Sequence, residues 1–382
     1  MKNFHVLTTA LAAAALLAGC GGNDAGDQSS RVNFTQVVSF GDSLSDVGTY
    51  NVGVIKQQGG GHYSINGQGA TGLPYINWTE FLAGTLQLSQ PCAAETGLTP
   101  VAPFVPTLGD ETPKFHDASA GGSCTNYAQG GARVTAAVGP GNAALVVPGN
   151  TSTYGNAVGQ LTIPVQKQIQ NYLDHNGQTF NGSQLVTVFA GGNDIFANVS
   201  GLTAGLESPA QAVAAMTAAG KDLAGYVNTM ILAKGATHVV VVTLPDVSLT
   251  PYALGADAAS PGAAALVKSM TQAFNTELTK DLTASDSLVV VDAFSASEDQ
   301  AAHPAQYGLS NVTQPACNLQ VVSTSLICTK ASLIPALAPN PATAPAVAAN
   351  GYEYADSVHP TPFGYSLLAT LVAENLAIKG WL

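Results

Sequence analysis

Four short apolar runs punctuate the chain, at Val37–Phe40, Leu185–Ala190, His238–Leu244 and Leu288–Val291. They are continuous rather than alternating, which is the pattern of parallel strands covered on both faces. Between them the spacing turns helical. Ser208, Pro209 and Gln211 form an N-cap, a first-turn proline and a capping-box glutamine, and Gly235 closes that helix after Lys234. Ser260–Pro261 predicts a second helix with Leu266, Met270, Phe274 and Leu278 on one face. Thr361–Pro362 predicts a third, with Leu367, Leu368, Leu371, Val372 and Leu376 buried and Gly380 beyond its end. Strands alternating with helices imply a doubly wound α/β sandwich. The apolar stripes are core and carry no chemistry.

Three stretches interrupt this alternation, at about 53–122, 138–159 and 295–350. Loops longer than about 15 residues are usually functional or disordered. Two of the three contain cysteines, so they read as ordered surface caps around a site. Apolar residues within them, including Phe104, Val105 and Ala144 to Val147, are candidates to line a channel or to pack beneath a loop. Ala331 to Ala349 is low in complexity and reads as a strap.

The amino terminus has a different character. Lys2, an apolar run from Val6 to Leu17 and the ending Leu17-Ala18-Gly19-Cys20 describe a secretory signal over residues 1–19, too short to span a bilayer. The ending resembles the bacterial lipobox, which implies lipidation of Cys20, a flexible tether over 20–33 and a folded domain over 34–382. The chain is then exported and anchored in the cell envelope, because two or more acyl chains hold a stable anchor. With Cys20 set aside, Cys92, Cys124, Cys317 and Cys328 allow three pairings. Proximity along the chain favours Cys92–Cys124 and Cys317–Cys328. Zinc is the rival reading, but no Cys-x-x-Cys and no histidine pair at ligand spacing occur, and an oxidising compartment suits disulfides.

Composition narrows the function. Of 382 residues, 12 are Lys or Arg and 24 Asp or Glu, a net charge of −12, so a nucleic-acid partner is excluded by the lack of phosphate-binding cations. Charged residues are 9% against 46% hydrophobic, which excludes disorder over most of the length.

Chemistry concentrates in separated blocks. Phe40-Gly41-Asp42-Ser43-Leu44-Ser45-Asp46 follows the first strand and places Ser43 where parallel sheets bind ligands, unless it merely caps a helix. Here Asp42 is read as holding the loop and Asp46 as capping the next helix. Asp356-Ser357-Val358-His359-Pro360 puts a carboxylate within reach of an imidazole in one turn; spacing alone does not separate a catalytic pair from a histidine beside a helix start. Asn126-Tyr127-Ala128-Gln129-Gly130-Gly131 and Ala190-Gly191-Gly192-Asn193-Asp194 offer an amide and glycine N–H groups as oxyanion donors; singly, both asparagines are ordinary turn residues.

Rival motifs carry less. Gly-x-Ser-x-Gly is absent. Gly67-x-Gly69-x-x-Gly72 fits the dinucleotide pattern but runs into Leu73–Pro74 where a helix should start, so it reads as loop. The triplets beginning at Asn77, Asn198 and Asn311 match glycosylation sites and are uninformative beside a bacterial lipobox. His62, His116, His175, His238 and His303 read as core or surface histidines rather than ligands.

Together the blocks resemble the GDSL or SGNH hydrolases. The resemblance implies a flavodoxin-like three-layer α/β/α sandwich with five parallel strands in the order 2-1-3-4-5, the second near Cys124–Tyr127. It implies Ser43 as nucleophile, His359 as base and then acid, Asp356 as its orienter, and an oxyanion hole from the Ser43 and Gly131 N–H groups and the Asn193 side chain. No cofactor or metal is implied. The expected substrate is a small-molecule or lipid ester, cleaved by an esterase or lipase; a phospholipase, a lysophospholipase or an acyltransferase would use the same residues. A non-enzymatic surface lipoprotein on a hydrolase scaffold is the alternative from another class.

Overall fold

A computed structural model of the chain describes residues 32–67, 69–97, 113–140, 162–337 and 351–382. The signal segment, Cys20, nearly all of the tether, most of the 138–159 stretch and the channel candidates Phe104, Val105 and Ala144 to Val147 lie outside the described residues.

The apolar runs form four parallel strands: β1 (Gln36–Gly41), β2 (Gln184–Phe189), β3 (Val239–Val242) and β4 (Leu288–Val291), hydrogen-bonded in that order. Register pairs Val37 with Leu185, Val186 with Val239, and Val239 with Leu288. All six residues of β2 and all four of β3 are buried, so helices cover both faces of the sheet's centre. The expected fifth strand is a correction: Asn126 makes one parallel bridge with Ser39, outside β1. Ser39 spends its N–H on Thr125 and its carbonyl on Tyr127, while Asn126 also bridges Ala93 on its far side. The disulfide at Cys124 before it and the turn at Gln129 after it leave no length for a longer ladder.

Helices run as α1 (Gly53–Gln57), α2 (Trp78–Thr85), α3 (Val165–His175), α4 (Gly192–Thr203), α5 (Pro209–Tyr226), α6 (Pro251–Ala259), α7 (Ala263–Asp281), α8 (Ala293–Ala302) and α9 (Pro362–Lys379). Ser208 and Gln211 form the expected capping box on α5, which continues through a π turn to a left-handed Gly235. Thr361 caps α9 and Gly380 ends it. The helix expected from Ser260 starts later: Ser260 ends α6, and Gly262 precedes α7 at φ +97°. Asp257 holds that corner by accepting from the Gly262 and Ala264 N–H groups.

The first interruption is not wholly loop. It contains α2, whose Trp78 and Leu82 are fully buried against the main core. Asn77, read as part of a glycosylation triplet, is buried and caps this helix in a box with Glu80. The expected disulfides Cys92–Cys124 and Cys317–Cys328 are both present. The second lies in a small separate core with Ile65, Val322, Leu333 and Ala355, which backs the loop carrying Asp356.

Candidate active site

Strand β1 ends at Gly41, and its geometry explains why no larger residue stands there. A Cβ on Gly41 would lie 2.3 Å from the Phe189 carbonyl oxygen, because β1 and β2 pair up to this point. Gln168 of α3 grips the same peptide, accepting from the Gly41 N–H at 2.9 Å and donating to its carbonyl at 2.8 Å. The chain then turns, with the Asp42 carbonyl accepting from Ser45 and Asp46 and the Asp42 carboxylate accepting from Leu44. Ser43 stands on this turn, 7% exposed, at the C-terminal rim of the sheet. No helix follows directly, so Ser43 is not a helix cap. Asp46 also departs from expectation: it accepts from the Gly48 and Thr49 N–H groups within the turn and from Gly130 across the site.

His359 arrives from the other end of the chain. Its Nε2 lies 2.8 Å from Ser43 Oγ, and its Nδ1 lies 2.8 and 2.9 Å from the two oxygens of Asp356. A carboxylate only accepts, so the neutral imidazole carries its proton on Nδ1 and turns the Nε2 lone pair to the serine hydroxyl. Asp356 also accepts from the backbone N–H groups of Val358, His359 and Ser325. Burial pushes its pKa up, but His359 and these donors outweigh burial and hold the carboxyl well below the usual range.

The two glycine blocks close the rim. Gly191 precedes α4 at φ +118°, and a Cβ there would strike the Phe274 ring at 2.5 Å. The turn brings Asn193 into a cavity of about 50 Å³ shared with Asp42, Ser43 and His359. One Asn193 amide hydrogen goes to the Ala132 carbonyl at 2.9 Å; a primary amide has two. Gly130 donates its N–H to Asp46, and Gly131 follows at φ +84°. Asp194 ties the blocks together, accepting from Arg133 at 2.9 Å and from the Val134 N–H at 3.0 Å. Asn126 is structural, donating to the Ser45 carbonyl and accepting from the Ala128 N–H.

Several participants carry no sequence signal. The Tyr63 ring lies on the His359 ring, centroids 4.7 Å apart and tilted 35°. Ser64 donates to the Pro360 carbonyl, and Tyr365 to that of Tyr63. Gln168 and Ser325 are likewise invisible beforehand, since their partners lie 127 and 31 residues away. The other histidines among the described residues have partners outside the site: His62 with Glu80, His116 with Thr96, His175 with Asp117, His303 with Asp299, and His238 against Phe34 and Trp381. Gly67 and residues 69–72 form no helix, with positive φ at Gly67, Gly69 and Gly72.

A serine, an imidazole and a carboxylate in one hydrogen-bonded row, at the carboxyl edge of a parallel sheet, define the constellation of a serine hydrolase. The family profile of the GDSL-like lipases/acylhydrolases matches residues 37–372, and the chain belongs to that family. It is therefore a hydrolase of the esterase/lipase type, acting on esters. No curated protein matches the chain.

Proposed function

We propose that the protein hydrolyses carboxylic esters through an acyl-enzyme formed on Ser43. The observation that carries this reading is the 2.8 Å approach of His359 Nε2 to Ser43 Oγ, with Asp356 behind the ring. Ser43 Oγ attacks the acyl carbon while His359 Nε2 takes the hydroxyl proton. The carbonyl oxygen becomes an oxyanion, received by the second Asn193 amide hydrogen and the Ser43 and Gly131 N–H groups. The C–O bond to the alcohol then breaks, and the alkoxide leaves with the proton from His359. Water repeats the sequence: it loses a proton to His359, adds to the acyl carbon and releases the acid, restoring the Ser43 hydroxyl. Asp356 keeps the ring oriented and stabilises the imidazolium in both halves.

The reading includes export and anchoring through Cys20, supported by the lipobox-like ending and by two disulfides that suit an oxidising compartment. Hydrolysis of p-nitrophenyl esters of graded acyl length is the test. Ser43→Ala is expected to lower kcat by at least about 10³-fold. Undiminished cleavage in that variant would remove Ser43 from its role and leave the surface-binding alternative standing.

A further inference from the structure

A second cavity, of about 90 Å³, adjoins the one that holds Ser43. Leu44, Pro245, Thr250 and Val358 line both, so the two spaces meet across these four residues. A single water needs about 10–15 Å³, so the second space takes a chain of several non-hydrogen atoms. Phe189, Ala293, Leu368 and Leu371 make much of its wall apolar.

Glu353 brings the carboxyl group of that wall. Its backbone is fixed, the N–H donating to the Asn311 carbonyl at 2.9 Å and the carbonyl accepting from Thr361 at 2.8 Å. Its side-chain Oε2 is buried and has no hydrogen-bond partner. Thr250 and Ser297 commit their hydroxyls elsewhere, to the Val247 carbonyl at 2.7 Å and the Phe294 carbonyl at 2.8 Å, while Gln300 and Tyr354 complete the polar part of the wall. Buried polar groups are almost always paired, and one left unpaired beside an active site calls for a partner.

We propose that this cavity is a subsite for a hydroxyl-bearing arm of the ester, and that Glu353 is the specificity-determining residue that hydrogen-bonds the hydroxyl. The proposal rests on the ester-hydrolase reading above. Burial pushes the Glu353 carboxyl up to about 7, so both its forms are present near neutral pH. A hydroxyl suits either, donating to the carboxylate or accepting from the acid. An ammonium group would need the ionised form that burial opposes, and a second carboxylate would meet repulsion or a proton already in place. Either arm of an ester can bear the hydroxyl, so the acyl and alcohol sources are tested separately.

Two matched series decide it: p-nitrophenyl hydroxyacyl esters against their unsubstituted parents, and monoesters of linear diols against esters of the corresponding alkanols. In one series kcat/KM for a hydroxylated member is expected to exceed its parent by about tenfold or more, the usual size of one buried hydrogen bond to an ionisable group. Glu353→Leu is expected to abolish the ratio while the parent ester is still cleaved, which also reports folding. Glu353→Met, closer in length, is the second variant with the same expected loss. An active wild-type enzyme with no hydroxyl preference in either series overturns the subsite alone, as does a preference that survives both substitutions or a larger one for ammonium-bearing analogues. A wild-type protein that cleaves no ester overturns the ester-hydrolase reading and the subsite with it.

Discussion

Asp42 shows how one buried carboxyl couples the active-site turn to pH. It is 2% exposed, and burial pushes its pKa up to about 7, against the opposing pull of the Leu44 N–H and His359. An unfolded aspartate titrates near 3.9. The folded state therefore binds more protons than the unfolded between about pH 4 and 7, and this group's contribution makes stability fall as pH rises through that window. Asp42→Asn keeps the acceptor for Leu44 without the charge, so its Tm relative to wild type is expected to rise from pH 5 to pH 8 in thermal melts; a constant difference would contradict this. Asp356 has the opposite sign. Its depressed pKa stabilises the fold above the unfolded value of about 3.9, and that contribution is lost as pH falls below it. Asp356→Asn is expected to reduce kcat by up to about 10⁴-fold with a much smaller change in KM, because an amide no longer enforces the Nδ1–H tautomer. The residue types in both blocks were readable along the chain, since Asp42, Ser43, Asp356 and His359 lie in short distinctive stretches. Their burial was not, because it depends on neighbours hundreds of residues away.

At the scale of elements, one cross-link bears on chemistry. The Cys317–Cys328 disulfide closes the segment containing the 3-10 turn Ser325–Ile327, and the Ser325 N–H is one of the donors that fix Asp356. Asn66 pins the same segment through the Ser325 and Cys328 carbonyls. Replacing both cysteines by alanine is expected to lower kcat about tenfold, the size of one hydrogen bond to a charged group. It should also cost about 2–4 kcal/mol of stability; denaturation curves and steady-state kinetics on the same variant check both. Both disulfide pairings were legible because each joins nearest cysteines. Helix α2 was hidden: its cap, Asn77-Trp78-Thr79-Glu80, sits in a Gly- and Pro-rich stretch where composition suggests loop, and only packing against α9 and the core makes it a helix. Ser260 misled for a local reason. Asp257 reaches forward over Ser260 to cap α7 from the preceding helix.

For the whole molecule, the decisive contact joins residues 316 apart in sequence. The entropy of closing so long a loop grows only logarithmically with its length, and the packing of α9 against β4 and α2 offsets it, so the side-chain contact need not do so alone. No helix among the described residues is long and apolar enough to cross a membrane. In the proposed reading it is the lipidated N-terminal segment that holds the protein at the membrane. Cys20→Ser is expected to shift the protein from the membrane to the soluble fraction of fractionated cells and to remove the acyl mass increment from its N-terminal peptide. An unchanged distribution would count against lipidation.

The sequence by itself determined the parallel strands, the caps of α5 and α9, the two disulfide pairings and the blocks from which the site is assembled. Those are set by local periodicity, by side chains that reach their own backbone, and by residues clustered within a few positions. Only the tertiary structure decided that the fifth strand shrinks to a bridge, that Tyr63, Gln168 and Ser325 support the row of Ser43, His359 and Asp356, and that Glu353 Oε2 lies unpaired in the wall of a largely apolar cavity. Tyrosine, glutamine, serine and glutamate are common residues whose roles here arise from partners elsewhere in the fold, and no spacing along the chain encodes such a meeting.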